Sequence, residues 1–141
     1  MNVFIIGSPF DTAVALDKLR LNKQIIETRH ILDALGGKKA WSNHPATLQY
    51  AGYIDWLKLY KGTLEAFQKS KLEEAARYSF YADLIRPSFH TEEFFAQMKR
   101  RLYTKNPTHY AQWADLDTSL ENWYWSPKEG KIIKYINGKR L

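Results

Sequence analysis

Apolar residues recur with helical spacing through most of the chain, and the breaks in that spacing divide it into elements. Residues 1–7 read as extended or strand-like. Ser8-Pro9 and Asp11 then give an N-cap and first-turn signal for one long helix that stops at Gly36-Gly37. Ser42-Asn43-His44-Pro45 is a second helix start, followed by Leu48, Tyr53, Trp56, Leu57, Leu59, Tyr60, Leu64 and Phe67 at core-facing intervals, with Gly52 and Gly62 as weak points in its continuity. A third helix is expected from Leu72 to Arg86, ended by Pro87, and a fourth from Thr91 to Leu102, entered through Glu92 and Glu93 and broken by Asn106-Pro107. Ile132 to Ile136 ahead of Asn137-Gly138 has the form of a hairpin arm and its turn. The pattern predicts an all-α fold: a compact single-domain helical bundle over residues 1–141 with a long first helix, and room for a small β-hairpin in a C-terminal extension at 128–141.

The first helix departs from simple amphipathicity. At about 100° per residue, Arg20, Lys23, Gln24 and Glu27 fall on one narrow stripe. Val14, Leu21, Ile25 and Leu32 flank it on one side, and Leu19 and Ile26 on the other, while Asn22, Arg29 and Asp33 form a separate solvent face. A polar stripe between two apolar flanks implies a cleft or a buried network. A carboxylate placed there beside cations can accept a proton or stabilise a developing positive charge, which makes Glu27 the candidate catalytic residue. The plain alternative is a surface ion pair, since Lys23 and Glu27 are four residues apart.

Charge adds a second signal. The 141 residues carry 21 Lys and Arg against 15 Asp and Glu, a formal charge of +6. Five of those six net charges fall after residue 98, where Lys99, Arg100, Arg101 and Lys105 are interleaved with Tyr103, His109, Tyr110 and Trp113. Basic groups mixed with aromatic rings suit phosphate contact and base stacking, although a solvated helix end or a helical core stripe has the same composition.

Several classes of chemistry are excluded. The chain has no cysteine, hence no disulfide, thiolate metal site or cysteine nucleophile. The histidines, His30, His44, His90 and His109, form no recognisable metal spacing, and no serine-hydrolase, dinucleotide or P-loop motif is present. No cofactor and no metal are expected. The start carries neither a basic region nor an apolar run long enough for a signal or a membrane span, so a cytoplasmic protein without membrane partners is expected.

Three motifs in order, Leu16-Asp17-Lys18-Leu19-Arg20-Leu21-Asn22-Lys23-Gln24-Ile25-Ile26-Glu27, Trp41-Ser42-Asn43-His44-Pro45 and Arg101-Leu102-Tyr103-Thr104-Lys105-Asn106-Pro107-Thr108-His109-Tyr110, resemble the pyrimidine-dimer DNA glycosylases of the phage endonuclease V type. The resemblance covers about residues 1–127 and implies a compact, all-helical, metal-independent DNA repair enzyme, expected as a monomer on damaged double-stranded DNA. It implies excision of one base of a cyclobutane pyrimidine dimer followed by abasic-site lyase chemistry. Glu27 would be the catalytic glutamate. Arg20 and Gln24, with Asn43, His44, Arg100, Arg101, Lys105 and Tyr110, would contact DNA or substrate. The chain departs from the family pattern at Asn2, which disfavours removal of the initiator methionine, and at Ile26, where an arginine is expected. With these departures the resemblance implies that the nucleophilic amine is that of Met1 or of Lys23, or that the lyase step is absent. A glycosylase for another modified pyrimidine and a noncatalytic nucleic-acid-binding protein are the alternatives.

Overall fold

The computed structural model describes residues 3–116, the strand segments 122–126, 131–136 and 139–140, and residue 129. Among these, six α-helices precede a small antiparallel sheet. The chain divides into two units, residues 1–87 and 88–141.

The first unit holds helices α1 (Pro9–Ala15), α2 (Lys18–Leu35), α3 (Pro45–Gln49), α4 (Ile54–Gln68) and α5 (Leu72–Leu84). Ser8 caps α1 by accepting from the Asp11 N–H at 3.0 Å, with Pro9 in the first turn. The long first helix expected from Ser8 to Gly36 is instead two helices. Leu16, with ψ of 137°, turns the chain out of the helix, and Asp17 starts α2. The Asp17 carboxylate does not cap the backbone there; it takes the Arg20 guanidinium at 3.0 Å. The end at Gly36-Gly37 is as expected, with Gly37 at φ 110°, a conformation costly for any residue bearing a Cβ.

The second expected helix is also interrupted. His44 accepts from the Ala46 N–H through Nδ1 and Pro45 opens α3, but α3 ends at Gln49, and α4 begins only after the bend containing Gly52. Gly62, by contrast, lies inside α4: the Tyr78 ring of α5 packs 3.4 Å from where its Cβ would stand, so the missing side chain permits close helix approach. Leu57, Tyr60 and Leu64 of α4, Leu21 and Ile31 of α2 and Ala75 and Ala82 of α5 are buried in this unit. Phe10 meets Phe67 edge to face, and its N–H donates to the Ser79 hydroxyl at 2.9 Å, which ties the start of α1 to α5.

Val3, Phe4 and Ile5 are buried without joining a sheet. Side chains replace the missing strand partner: the Phe4 N–H donates to Gln24 and the Ile6 N–H to Thr12 Oγ1.

In the second unit, Thr91 caps α6 (Glu92–Lys105) by accepting from the Phe94 N–H, and Asn106 ends it as the Asn-Pro break predicts. Phe94, Phe95, Met98 and Leu102 form its buried face. His90, itself buried, lies parallel to the Phe94 ring and edge to face with Phe89. A short 3-10 turn at Ala111–Trp113 follows. Strand β2 (Lys131–Ile136) pairs antiparallel with β3 (Lys139–Arg140), consistent with the expected hairpin, while its Asn137-Gly138 turn lies outside the described residues. Strand β1 (Asn122–Ser126) pairs with the other edge of β2, so the element is a three-stranded sheet in the order β1-β2-β3. Among the described residues the regular elements outside this sheet are helical.

Candidate active site

The stripe on α2 becomes a buried network on one side and an exposed edge on the other. Gln24 is 1% exposed. Its Oε1 accepts from the Phe4 N–H at 2.9 Å, which fixes the orientation of the amide because a backbone N–H can only donate. The Nε2 is thereby turned toward Glu27 and donates to Oε2 at 3.2 Å. The Tyr60 hydroxyl closes the arrangement, 2.5 Å from the Phe4 carbonyl oxygen and 2.8 Å from Gln24 Oε1, its single proton shared between two acceptors.

Glu27 is half-buried at the end of this chain of bonds. Its partner is the Gln24 amide, a neutral donor, rather than the surface ion pair with Lys23 that the spacing allowed; Lys23 is exposed. A neutral donor holds the carboxylate in one orientation without neutralising its charge. Burial raises the Tyr60 phenol well above its ordinary value, and the charge of Glu27 adds to this, so Tyr60 stays a neutral donor. The Tyr60 ring is stacked on Trp56 at 5.0 Å, and Trp56 on Tyr50 at 5.5 Å. This column of buried rings fixes the position from which the hydroxyl reaches Phe4 and Gln24.

The apolar flanks of the stripe are not equivalent. Leu21 is buried, as expected of a core side, but Leu19 and Ile26 are 52% and 45% exposed, so the second flank is surface. The buried face of α2 is instead Leu21, Gln24, Thr28, Ile31 and Ala34, and its polar members sit inside rather than along a cleft edge.

His44 is half-buried at the start of α3. Its Nδ1 is occupied as an acceptor by the Ala46 N–H at 3.1 Å, so the neutral ring carries its proton on Nε2. Burial lowers its pKa below the ordinary value of 6.5, with the charge of Glu27 acting in the opposite direction. His44 also touches the edge of Trp41, whose ring is stacked on His30 of α2.

The other candidates divide by exposure. Arg20 is half-buried and held by Asp17, and Asn43 is exposed. In the second unit Arg100 and Arg101 are half-buried and Lys105 is exposed. Lys99 Nζ lies 6.0 Å from the centre of the Trp113 ring. Two residues expected to touch DNA or substrate, Gln24 and Tyr110, are buried. Gln24 is spent on internal bonds, and Tyr110, 0% exposed, is stacked on Trp113 at 5.3 Å as part of the core of its unit. Met1 lies outside the described residues. Among the described residues, no group of three or more His, Asp or Glu side chains is placed to hold a metal ion, and no helix is long and apolar enough to cross a membrane.

The sequence reading did not single out Tyr60, the Phe4 backbone or Trp41 as parts of a site. Tyr60 occupies a regular core position on α4, and nothing in that spacing distinguishes it from a phenylalanine. The Phe4 contribution is all main chain and leaves no mark in composition.

A family model for pyrimidine dimer DNA glycosylases matches residues 1–66. Over those residues the chain resembles this family of DNA glycosylases. The matched segment contains Phe4, Gln24, Glu27, His44 and Tyr60, the whole network described above. No curated protein and no solved structure matches the chain.

Proposed function

We propose that this protein is a DNA repair glycosylase that excises a damaged pyrimidine, a cyclobutane pyrimidine dimer, from duplex DNA and then cleaves the abasic strand. The observation that carries this reading is the half-buried Glu27 carboxylate, held by the Gln24 amide within the segment that resembles the pyrimidine dimer DNA glycosylases. Loss of a base from C1′ leaves positive character on the sugar. A fixed carboxylate that keeps its charge, partly shielded from water, stabilises that charge far more than one free to reorient in solvent.

The amine of Met1 or of Lys23 supplies the nucleophile. Its lone pair forms a bond to C1′ as the C1′–N glycosidic bond breaks, and the departing base takes up a proton. Opening of the sugar ring gives its oxygen a proton and leaves an imine between C1′ and the amine. Removal of a C2′ proton then expels the 3′ phosphate. Lys23 is exposed one helical turn before Glu27, while the Met1 amine is three residues from Phe4, a reach of about 10 Å. Arg20, Asn43 and His44 would engage the sugar and phosphates near Glu27, and Arg100, Arg101 and Lys105 would supply counter-charge to the backbone. Gln24 acts here as the residue that orients Glu27, not as a DNA contact.

Borohydride trapping on an abasic duplex and on an ultraviolet-irradiated duplex tests nucleophile and activity together. The expected result is a covalent adduct mapped by mass spectrometry to Met1 or Lys23 on both. Trapping on abasic DNA alone would assign a lyase with another base specificity. Tight binding with neither adduct nor released base would leave a noncatalytic binder.

A further inference from the structure

Trp41 combines three properties that rarely coincide. It is a large aromatic side chain left 46% exposed, its backbone sits in the left-handed region at φ 66°, and its ring is nevertheless held. The indole lies parallel to His30 with ring centres 6.1 Å apart and 16° between planes, and meets His44 at 5.7 Å and 67°. The main chain is pinned on both sides: the Ser42 N–H donates to the Lys39 carbonyl and the His44 N–H to the Trp41 carbonyl. A left-handed conformation is unfavourable for a residue with a Cβ and persists only where the surroundings enforce it, a pattern concentrated at functional positions. A side chain needed only to cover α2 would gain more by burial than this one does.

Its neighbours place it beside the candidate site. His30 is three residues after Glu27 on α2, close to one turn along the same side, and His44 is near enough to Glu27 to feel its charge. The turn that carries Trp41 also carries the exposed Lys38 and Lys39. A held, exposed indole beside two imidazoles, in a turn that also carries Lys39 and the Asp33-paired Lys38, is suited to stacking on a nucleobase next to a basic segment.

We propose that Trp41, backed by His30 and edged by His44, is a stacking platform that takes an unstacked DNA base next to Glu27. The proposal rests on the DNA glycosylase reading and extends it. An enzyme acting at C1′ must open the stack around the lesion, and a base displaced by that opening needs a surface to replace its lost neighbours. The platform would be sequence-tolerant, because every base has a π-face.

The test uses a duplex with a stable tetrahydrofuran abasic analogue and 2-aminopurine as the flanking base, bound to the full chain. For the unaltered protein at saturation, stacking on the indole keeps the 2-aminopurine fluorescence quenched although the duplex is opened at the lesion. Trp41→Gly suits the left-handed backbone and so preserves the turn. It is expected to weaken binding about 5- to 100-fold and to release the quenching at saturating protein, with Trp41→Phe recovering most of both. Unchanged affinity and quenching in Trp41→Gly would overturn the platform while leaving the glycosylase reading intact. Bright 2-aminopurine in the saturated complex of the unaltered protein would overturn it without reference to any variant. If the unaltered protein fails to bind either this duplex or irradiated DNA, the functional reading itself falls and the platform with it.

Discussion

Gln24 donates from Nε2 to Glu27 Oε2 at 3.2 Å while its Oε1 accepts from the Phe4 N–H, so one buried amide connects the start of the chain to the candidate catalytic carboxylate. Replacing it by methionine keeps the volume and removes these two bonds together with the one from the Tyr60 hydroxyl. The Phe4 N–H is then left without its acceptor, a loss expected to destabilise the protein by about 1–3 kcal/mol in urea unfolding. Loss of the Nε2 donor also frees the Glu27 carboxylate to reorient. Single-turnover base release is accordingly expected to fall in Gln24→Met while binding of damaged DNA is retained. A variant that loses stability with base release unchanged would show that the amide holds the fold but does not position the carboxylate.

Glu27→Gln separates charge from shape. The side chain is half-buried, and a glutamine oxygen can still accept from Gln24, so the variant is expected to fold and to bind damaged DNA. Base excision should fall by at least two orders of magnitude, the usual size of an electrostatic contribution of this kind. Single-turnover release of base, measured with binding on the same duplex, checks both halves. Turnover equal to that of the unaltered protein would remove Glu27 from the mechanism.

The polar stripe was legible in the sequence because helical periodicity brings Arg20, Lys23, Gln24 and Glu27 together whatever the tertiary structure does. Periodicity does not say which side of a helix the rest of the protein covers. Leu19 and Ile26 look like a second core face from spacing alone, yet α2 packs on the side of Leu21, Gln24 and Ile31 and leaves them exposed. The break at Leu16–Asp17 was hidden for a related reason. Asp17 reads as an ordinary helix residue until its carboxylate is seen holding Arg20 rather than extending a turn. The bonds of Phe4 and Tyr60 to Gln24 span 20 and 36 residues, and no local pattern encodes them.

His44 gives the folded state a pH dependence of known sign. Its folded pKa is lowered below 6.5 by burial, and protonating Nδ1 would break the cap on Ala46. The unfolded chain therefore binds the proton more readily. The stabilisation is fully present above about pH 6.5 and is lost as pH falls through the folded-state value. Asparagine at this position keeps a capping oxygen and does not titrate. Melting temperatures of His44→Asn and the unaltered protein are expected to run parallel above pH 7 and to diverge below pH 6.5, with the unaltered protein losing stability faster. Alanine, by contrast, should lower stability by about 1 kcal/mol at neutral pH by removing the cap. Parallel curves down to pH 5 for His44→Asn would mean that the imidazole binds its proton equally well in the folded and unfolded chains.

Arg100 and Arg101 test the electrostatic side of the reading. They lie in the last third of the chain, where the net positive charge concentrates, and neither belongs to the Gln24–Glu27 network. If they neutralise phosphates, each lost contact reduces the slope of log K against log salt by about 0.9 on duplex DNA. The double alanine variant is then expected to bind more weakly at low salt, to lose less affinity as salt rises, and to weaken damaged and undamaged duplexes by a similar factor. Single-turnover base release at saturating protein should stay near that of the unaltered protein, because phosphate contacts of this type position the duplex without entering the chemistry. An unchanged salt slope would assign these arginines to the structure of their own unit instead of to DNA. A selective loss on damaged DNA alone would place them at the lesion, contrary to a role in backbone contact.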